Sequence, residues 1–147
     1  MSKIKQILAR EILNSKGIPT IEVTVVLENG RLGRASAPTG TSVSGYEAKE
    51  VRDNDPKRYS GQGVLTAISN ISGIISPKII GMEVQNQKEI DKTMIEMDGT
   101  KDKSKLGSNA ILPISMAVAK AAAADLNIPL FAYIRNYATS QSRDSYK

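Results

Sequence analysis

The chain has 147 residues, carries 20 Lys+Arg against 15 Asp+Glu for a formal net charge of +5, and contains no Cys, no His and no Trp. Those absences exclude Cys/His zinc sites, thiol nucleophiles, His-ligated haem and every Ser-His-Asp relay. The length suits one domain, since about 100–150 residues is the commonest domain size, and a hydrophobic share of 40% with an aromatic share of 4% makes its core aliphatic.

In chain order, residues 4–13 alternate only weakly. Ile4, Gln6, Leu8, Arg10 and Ile12 lie on one side and Lys5, Ile7, Ala9, Glu11 and Leu13 on the other, so this strand is apolar on much of both faces. Thr20 to Leu27 interleaves β-branched apolar residues with polar ones and is the strongest strand signal. Asn14-Ser15-Lys16-Gly17 and Glu28-Asn29-Gly30 read as turns, the second with the Asn-Gly dipeptide of a type I′ hairpin. With Arg31 to Ala37 as a third strand, the opening segment is an antiparallel meander.

The segment Pro38-Thr39-Gly40-Thr41-Ser42-Val43-Ser44-Gly45 is small, polar and glycine-bearing, the composition of a mobile surface loop. Helical spacing follows at Val64, Leu65, Ile68, Ile71 and Ile75 up to Pro77, and again at Ile90, Met94 and Met97 before Asp98-Gly99-Thr100. The longest helix runs from Ser108 to Asp125. Its Ala121–Ala124 run has the highest intrinsic propensity and permits close approach of a neighbour, while Pro113 must kink the helix or delay its regular start. A last short helix near Leu130 to Tyr137 gives way to a polar tail, Ala138 to Ser145. The expected fold class is α+β: a three-stranded antiparallel meander followed by about four helices.

Few of these residues suggest chemistry by themselves. Glu47 and Glu50, with Arg52 and Asp53, would line one end of a helix, where such charges usually face solvent. The 38–45 loop has the hydroxyls and backbone N–H groups to cradle an anion or meet a hard cation such as Mg²⁺, but it lacks the lysine of a P-loop, and its plain reading is a connector. The densest basic patch, Lys101 to Lys105, has none of the aromatic interleaving that stacks on bases, so no nucleic-acid partner is expected. Met82, Met94, Met97 and Met116 read as core fillers. No apolar run reaches the ~18 residues of a membrane span, and no apolar h-region opens the chain, so a cytoplasmic protein is expected.

A resemblance adds what these patterns leave open. Arg10-Glu11-Ile12-Leu13-Asn14-Ser15-Lys16-Gly17-Ile18-Pro19-Thr20-Ile21-Glu22-Val23 resembles the R-x-I-x-D-S-R-G-N-P-T-V-E-V opening of enolases, the phosphopyruvate hydratases. Pro38 to Ser44 is similar to their P-S-G-A-S-T-G loop, Glu47-Ala48 with Arg52-Asp53-Asn54-Asp55 to E-A-x-E-x-R-D-G-D, and Gly61-Gln62-Gly63-Val64 to G-K-G-V. Met97 to Thr100 with Lys103 to Leu112 resembles L-D-G-T-x-N-K-S-x-L-G-A-N-A-I-L. The matches keep their order over almost the whole chain.

The resemblance implies the small N-terminal capping domain of an enolase over residues 1–138, with 139–147 starting the linker to a C-terminal barrel. In the family the barrel holds the base, the acid and the carboxylates of the first Mg²⁺, so this chain alone is expected to be inactive. The full-length parent would dehydrate 2-phosphoglycerate to phosphoenolpyruvate, the lyase step of glycolysis. The cap's part, by resemblance, is the substrate loop Gly40-Thr41-Ser42-Val43, which brings Ser42 to the second Mg²⁺ on closure. Thr39, Thr41, Val43 and Ser44 stand where the family usually has Ser, Ala, Thr and Gly, and Ser44 removes a hinge glycine. Lys16 and Glu22 match the edge that forms family dimers, and a homo-oligomer is expected. The alternative reading is a stand-alone, non-catalytic domain that binds a protein partner, with a basic RNA-binding module as the weakest one.

Overall fold

The computed structural model describes residues 1–40 and 44–144, with side chains through Ser140. Strands β1 (Ile4–Leu13), β2 (Pro19–Leu27) and β3 (Leu32–Ser36) form one antiparallel sheet in the order β1-β2-β3. Helix α1 (Leu65–Asn70) continues through a π-helical turn (Ile71–Ile75) into α2 (Ser76–Ile79), and α3 (Gln87–Asp98), α4 (Ser108–Asp125) and α5 (Leu130–Asp144) follow. The expected α+β class, a meander and then four helical stretches, is the fold observed.

The weak alternation of β1 has a physical cause. Ile4 pairs with Leu27 and Gln6 with Val26, so Lys5 is an extra residue that bulges the strand. The bulge turns both Ile4 and Ile7 into the core although they are three apart, and it leaves Leu8 on the open face. Both hairpins close with three-residue loops rather than a type I′ pair. In the first, Gly17 N–H donates to the Asn14 carbonyl (3.0 Å) with Gly17 at φ 71°; in the second, Gly30 N–H donates to the Leu27 carbonyl (3.0 Å) with Gly30 at φ 84°. Asn29 keeps a negative φ, so the expected type I′ geometry does not form, and Gly30 alone takes the left-handed position. Asn14 stabilises the first loop, its Oδ1 accepting from Lys16 N–H (2.8 Å) and Ile18 N–H (3.0 Å).

One face of the sheet is covered by α4. Ile21, Val23, Val25 and Leu27 of β2 point into a core shared with Ala110, Ile114, Ala117, Val118, Ala121 and Ala122 of α4. The alanine face works as its composition suggests: a Cβ built on Gly33 would fall within 3.0 Å of the Ala117 carbonyl and the Ala121 backbone, so β3 and α4 meet backbone to backbone. Ile71, Ile75, Ile79, Ile90, Met94 and Leu106 complete the aliphatic core.

Two helix boundaries differ from expectation, while α4 keeps the expected bounds Ser108–Asp125. Pro77 does not end its helix, because Ser76 N–H bonds back to the Ile71 carbonyl in the widened π turn and Pro77 then enters α2 near its start, where its missing N–H is tolerated. Helix α4 begins at Ser108 without delay and runs through Pro113, which sits in its second turn. Helix α5 extends past Tyr137 to Asp144. No Gly or Pro interrupts that tail, and the Thr139 and Ser140 hydroxyls donate back to the Arg135 (2.9 Å) and Tyr137 (2.7 Å) carbonyls.

Candidate functional site

The polar loop after β3 leaves from Ala37, whose N–H donates to the Ile21 carbonyl (2.9 Å) while its own carbonyl accepts from Thr20 Oγ1 (2.7 Å). Thr41, Ser42 and Val43 lie outside the described residues. The loop returns at Ser44, which closes a turn by accepting from Glu47 N–H on its carbonyl (3.2 Å) and from Tyr46 N–H on its Oγ (3.3 Å).

The segment that follows the turn is irregular and not helical, so Glu47 and Glu50 share no helix end. What holds it in place is α4. Asn109 reads the backbone of Val51 on both sides, its Oδ1 accepting from Val51 N–H (3.0 Å) and its Nδ2 donating to the Val51 carbonyl (3.0 Å). Ser108 N–H donates to the Lys49 carbonyl (2.8 Å) and Lys49 N–H to the Asp102 carbonyl (2.7 Å), so the N-terminus of α4 and the lysine-bearing loop act as a substitute strand. The loop stem is thereby fixed at its return end. It borders an open cleft of about 760 Å³ lined by Gly40, Ser44, Glu47, Glu50, Asp102 and Leu112. A second hollow of about 310 Å³ adjoins it through Ala48, Ser108 and Leu112 and reaches Ile95. Leu112 and Ile95, 43% and 47% exposed, make this valley apolar on one side.

Further along, a charge clamp ties β1 to the start of α1. Arg58 forks onto both oxygens of Glu11, with Nη1 to Oε2 at 2.9 Å and Nη2 to Oε1 shorter still, and lies 4.9 Å above the Tyr59 ring. Glu11 also accepts from Val64 N–H (2.9 Å), and Asp53 accepts from Leu65 N–H (3.0 Å) and Thr66 N–H (2.7 Å), so two carboxylates cap the orphan donors of α1. The Arg58 guanidinium holds the Glu11 carboxyl below its ordinary value against an opposing effect of burial. Burial pushes Asp53 up, but the Thr66 and Leu65 donors and Arg58 outweigh it and the net shift is downward. Gly63 leaves room for this clamp: a Cβ at that position would push against Asp53 Oδ2 and Arg58 Nη1 and displace them from their present contacts. Arg52 makes a parallel tie, donating through Nη1 to the Pro19 (2.5 Å) and Gln62 (2.7 Å) carbonyls and through Nη2 to Glu50 (2.7 Å).

The lysine-bearing loop is organised by Asp98, which is 2% exposed. Its Oδ2 accepts from Leu106 N–H (2.7 Å), and its Oδ1 accepts from Thr100 N–H (2.9 Å) and from the Thr100 hydroxyl. Burial raises the Asp98 carboxyl, and these donors bring it below its ordinary value. Gly99 ends α3 at φ 67°, as the Asp-Gly-Thr sequence suggests. The four methionines read as core fillers are so placed, Met94 fully buried and Met82, Met97 and Met116 packed against the core.

The structure does not bring Lys16 and Glu22 together. Lys16 is exposed in the first hairpin loop, whereas Glu22 lies on the open sheet face opposite Arg10 (2.8 Å), with Arg34 at 3.7 Å on the far side. Among the described residues no group of three acids is placed to hold a metal ion. Glu50 and Asp102 at the cleft are engaged by Arg52 (2.7 Å) and Lys49 (3.4 Å), so the described residues by themselves do not fit a Mg²⁺ site. Also among the described residues, no single helix is long and apolar enough to cross a membrane.

The α+β domain thus sets a one-sided sheet and a braced loop stem beside a surface valley. The chain belongs to the enolase family through that domain: the family model for the enolase N-terminal domain matches residues 4–134.

Proposed function

We propose that residues 1–138 are the capping domain of an enolase, that 139–147 begin the connection to a catalytic barrel, and that the 38–45 loop closes over 2-phosphoglycerate bound on that barrel. The observation that carries this reading is the loop stem: its outgoing end is held at Ala37 by Ile21 and Thr20, and its return end is held on α4 by Asn109, so both anchor points of the loop are fixed by the fold. A loop hinged on two fixed points can exclude water from a reacting centre without disturbing the fold. Dehydration then runs on the parent's own base and acid, which take the C2 proton and protonate the departing C3 hydroxyl, giving phosphoenolpyruvate and water. Mg²⁺ in the parent would supply the charge that stabilises the intermediate carbanion. This reading makes the parent a cytoplasmic lyase of glycolysis, dimeric through the edge that carries Lys16 and Glu22.

The test is made in the parent with its barrel. Ser42→Ala removes a loop hydroxyl and is expected to lower turnover by ~10²–10³-fold, the usual effect of losing one preorganised contact, with Ser44→Ala as the control. Equal and small effects of the two substitutions would reduce the loop to a connector.

A further inference from the structure

The chain's one Asn-Gly dipeptide, Asn29-Gly30, stands on an exposed hairpin loop, the setting in which an asparagine amide is chemically most vulnerable. Gly30 has no side chain to shield its main-chain nitrogen. In that reaction the Gly30 nitrogen gives up its proton and bonds to Asn29 Cγ, the Cγ–Nδ2 bond breaks, and ammonia leaves. Water then opens the five-membered imide to aspartate or isoaspartate.

Every atom needed for that step is held elsewhere here. Gly30 N–H donates to the Leu27 carbonyl (3.0 Å), which points the nucleophile away from Cγ. Asn29 Oδ1 accepts from Arg31 N–H (3.0 Å), and Nδ2, the leaving group, donates to Asp125 Oδ1 (2.7 Å). Asp125 is itself fixed at the end of α4, its Oδ2 accepting from Gln85 Nε2 (3.1 Å) and Ser2 N–H (3.3 Å). We propose that Asn29 is a spontaneous modification site that Asp125 keeps latent. While the clamp is shut the amide survives. Once it opens and Asn29 converts, a carboxylate faces Asp125 where a donor stood, and the like charges prevent the clamp from re-forming. The conversion is therefore one-way, and it releases the tip of the hairpin from the end of α4.

The whole 147-residue chain is incubated at neutral pH, and peptide mapping by mass spectrometry follows the one-dalton gain at residue 29. Asp125→Ala is expected to raise the conversion rate by about tenfold, the factor that matches loss of a hydrogen bond to a charged group. Gln85→Ala, which touches the same carboxylate without touching Asn29, is expected to leave the rate near wild type. Circular dichroism establishes that each variant is folded. If Asp125→Ala does not fold, a second pair decides: Asn29→Asp is expected to lower the unfolding midpoint, and adding Asp125→Asn to restore it, because an amide at 125 donates to the new carboxylate. Equal conversion rates in wild type and folded Asp125→Ala, or an Asn29→Asp midpoint that Asp125→Asn does not restore, would overturn the proposal.

Discussion

Replacing Gly33 by Ala tests the packing of β3 on α4 most directly. The added Cβ falls within 3.0 Å of the Ala117 carbonyl oxygen and the Ala121 nitrogen, and both are backbone atoms of a helix rather than ends of flexible side chains. To reach ordinary contact at 3.4 Å, α4 must recede from the sheet by about 1 Å, and a radial gap of 0.5–1 Å already forfeits a quarter to a half of the dispersion well of each contact it opens. Overpacking in cores costs about 1–3 kcal/mol and occasionally more. Because the strain here spreads along the whole α4–sheet contact, the expected loss is at the upper end, about 3 kcal/mol. Gly73→Ala is the matched control: nothing lies within 4 Å of its built Cβ, its φ is not left-handed, and it sits in the π-helical turn. There the gain in helix propensity stabilises by up to about 1 kcal/mol. Urea unfolding monitored by circular dichroism measures both, with the midpoint reporting stability as long as the slope m is unchanged. A Gly33→Ala midpoint within error of wild type would refute the backbone contact.

Two further outcomes follow from the clamps. Glu11, Asp53, Asp98 and Asp125 all have folded-state carboxyls below their ordinary values, so their contribution to stability is fully present above those values and is lost as pH falls through the lowered ones. The urea midpoint is expected to drop on acidification below the ordinary carboxylate range, and Glu11→Gln to flatten that drop; an unchanged pH profile in Glu11→Gln would contradict the Arg58–Glu11 assignment. Asn109→Ala strips both partners from the Val51 backbone and is expected to cost about 1–3 kcal/mol, with faster amide hydrogen exchange at Val51 as the local readout.

Much of this molecule is legible in local sequence because it rests on local rules. Alternation marks β2, 3.6-residue spacing marks α1 and α3, alanine propensity marks α4, and Asp-Gly-Thr ends α3, each because the period, the propensity or the turn residue acts within a few positions. Enolase-like motifs such as Gly61-Gln62-Gly63-Val64 are legible as strings, and the structure supplies their reason: Gly63 is empty so that the Arg58–Glu11–Asp53 clamp can pass. What local reading missed depends on atoms distant in the chain. The bulge at Lys5 exists because Ile4 and Ile7 are both drawn into one core, Pro77 is accommodated only by the π turn before it, and the 48–53 segment is not helical because Asn109, 58 residues from Val51, occupies backbone hydrogen bonds a helix would have used. Sequence alone determined the α+β class, the element order and the family. Tertiary structure alone decided which charges pair and where the loop is anchored, because those follow from burial and donor–acceptor geometry that no spacing along the chain encodes.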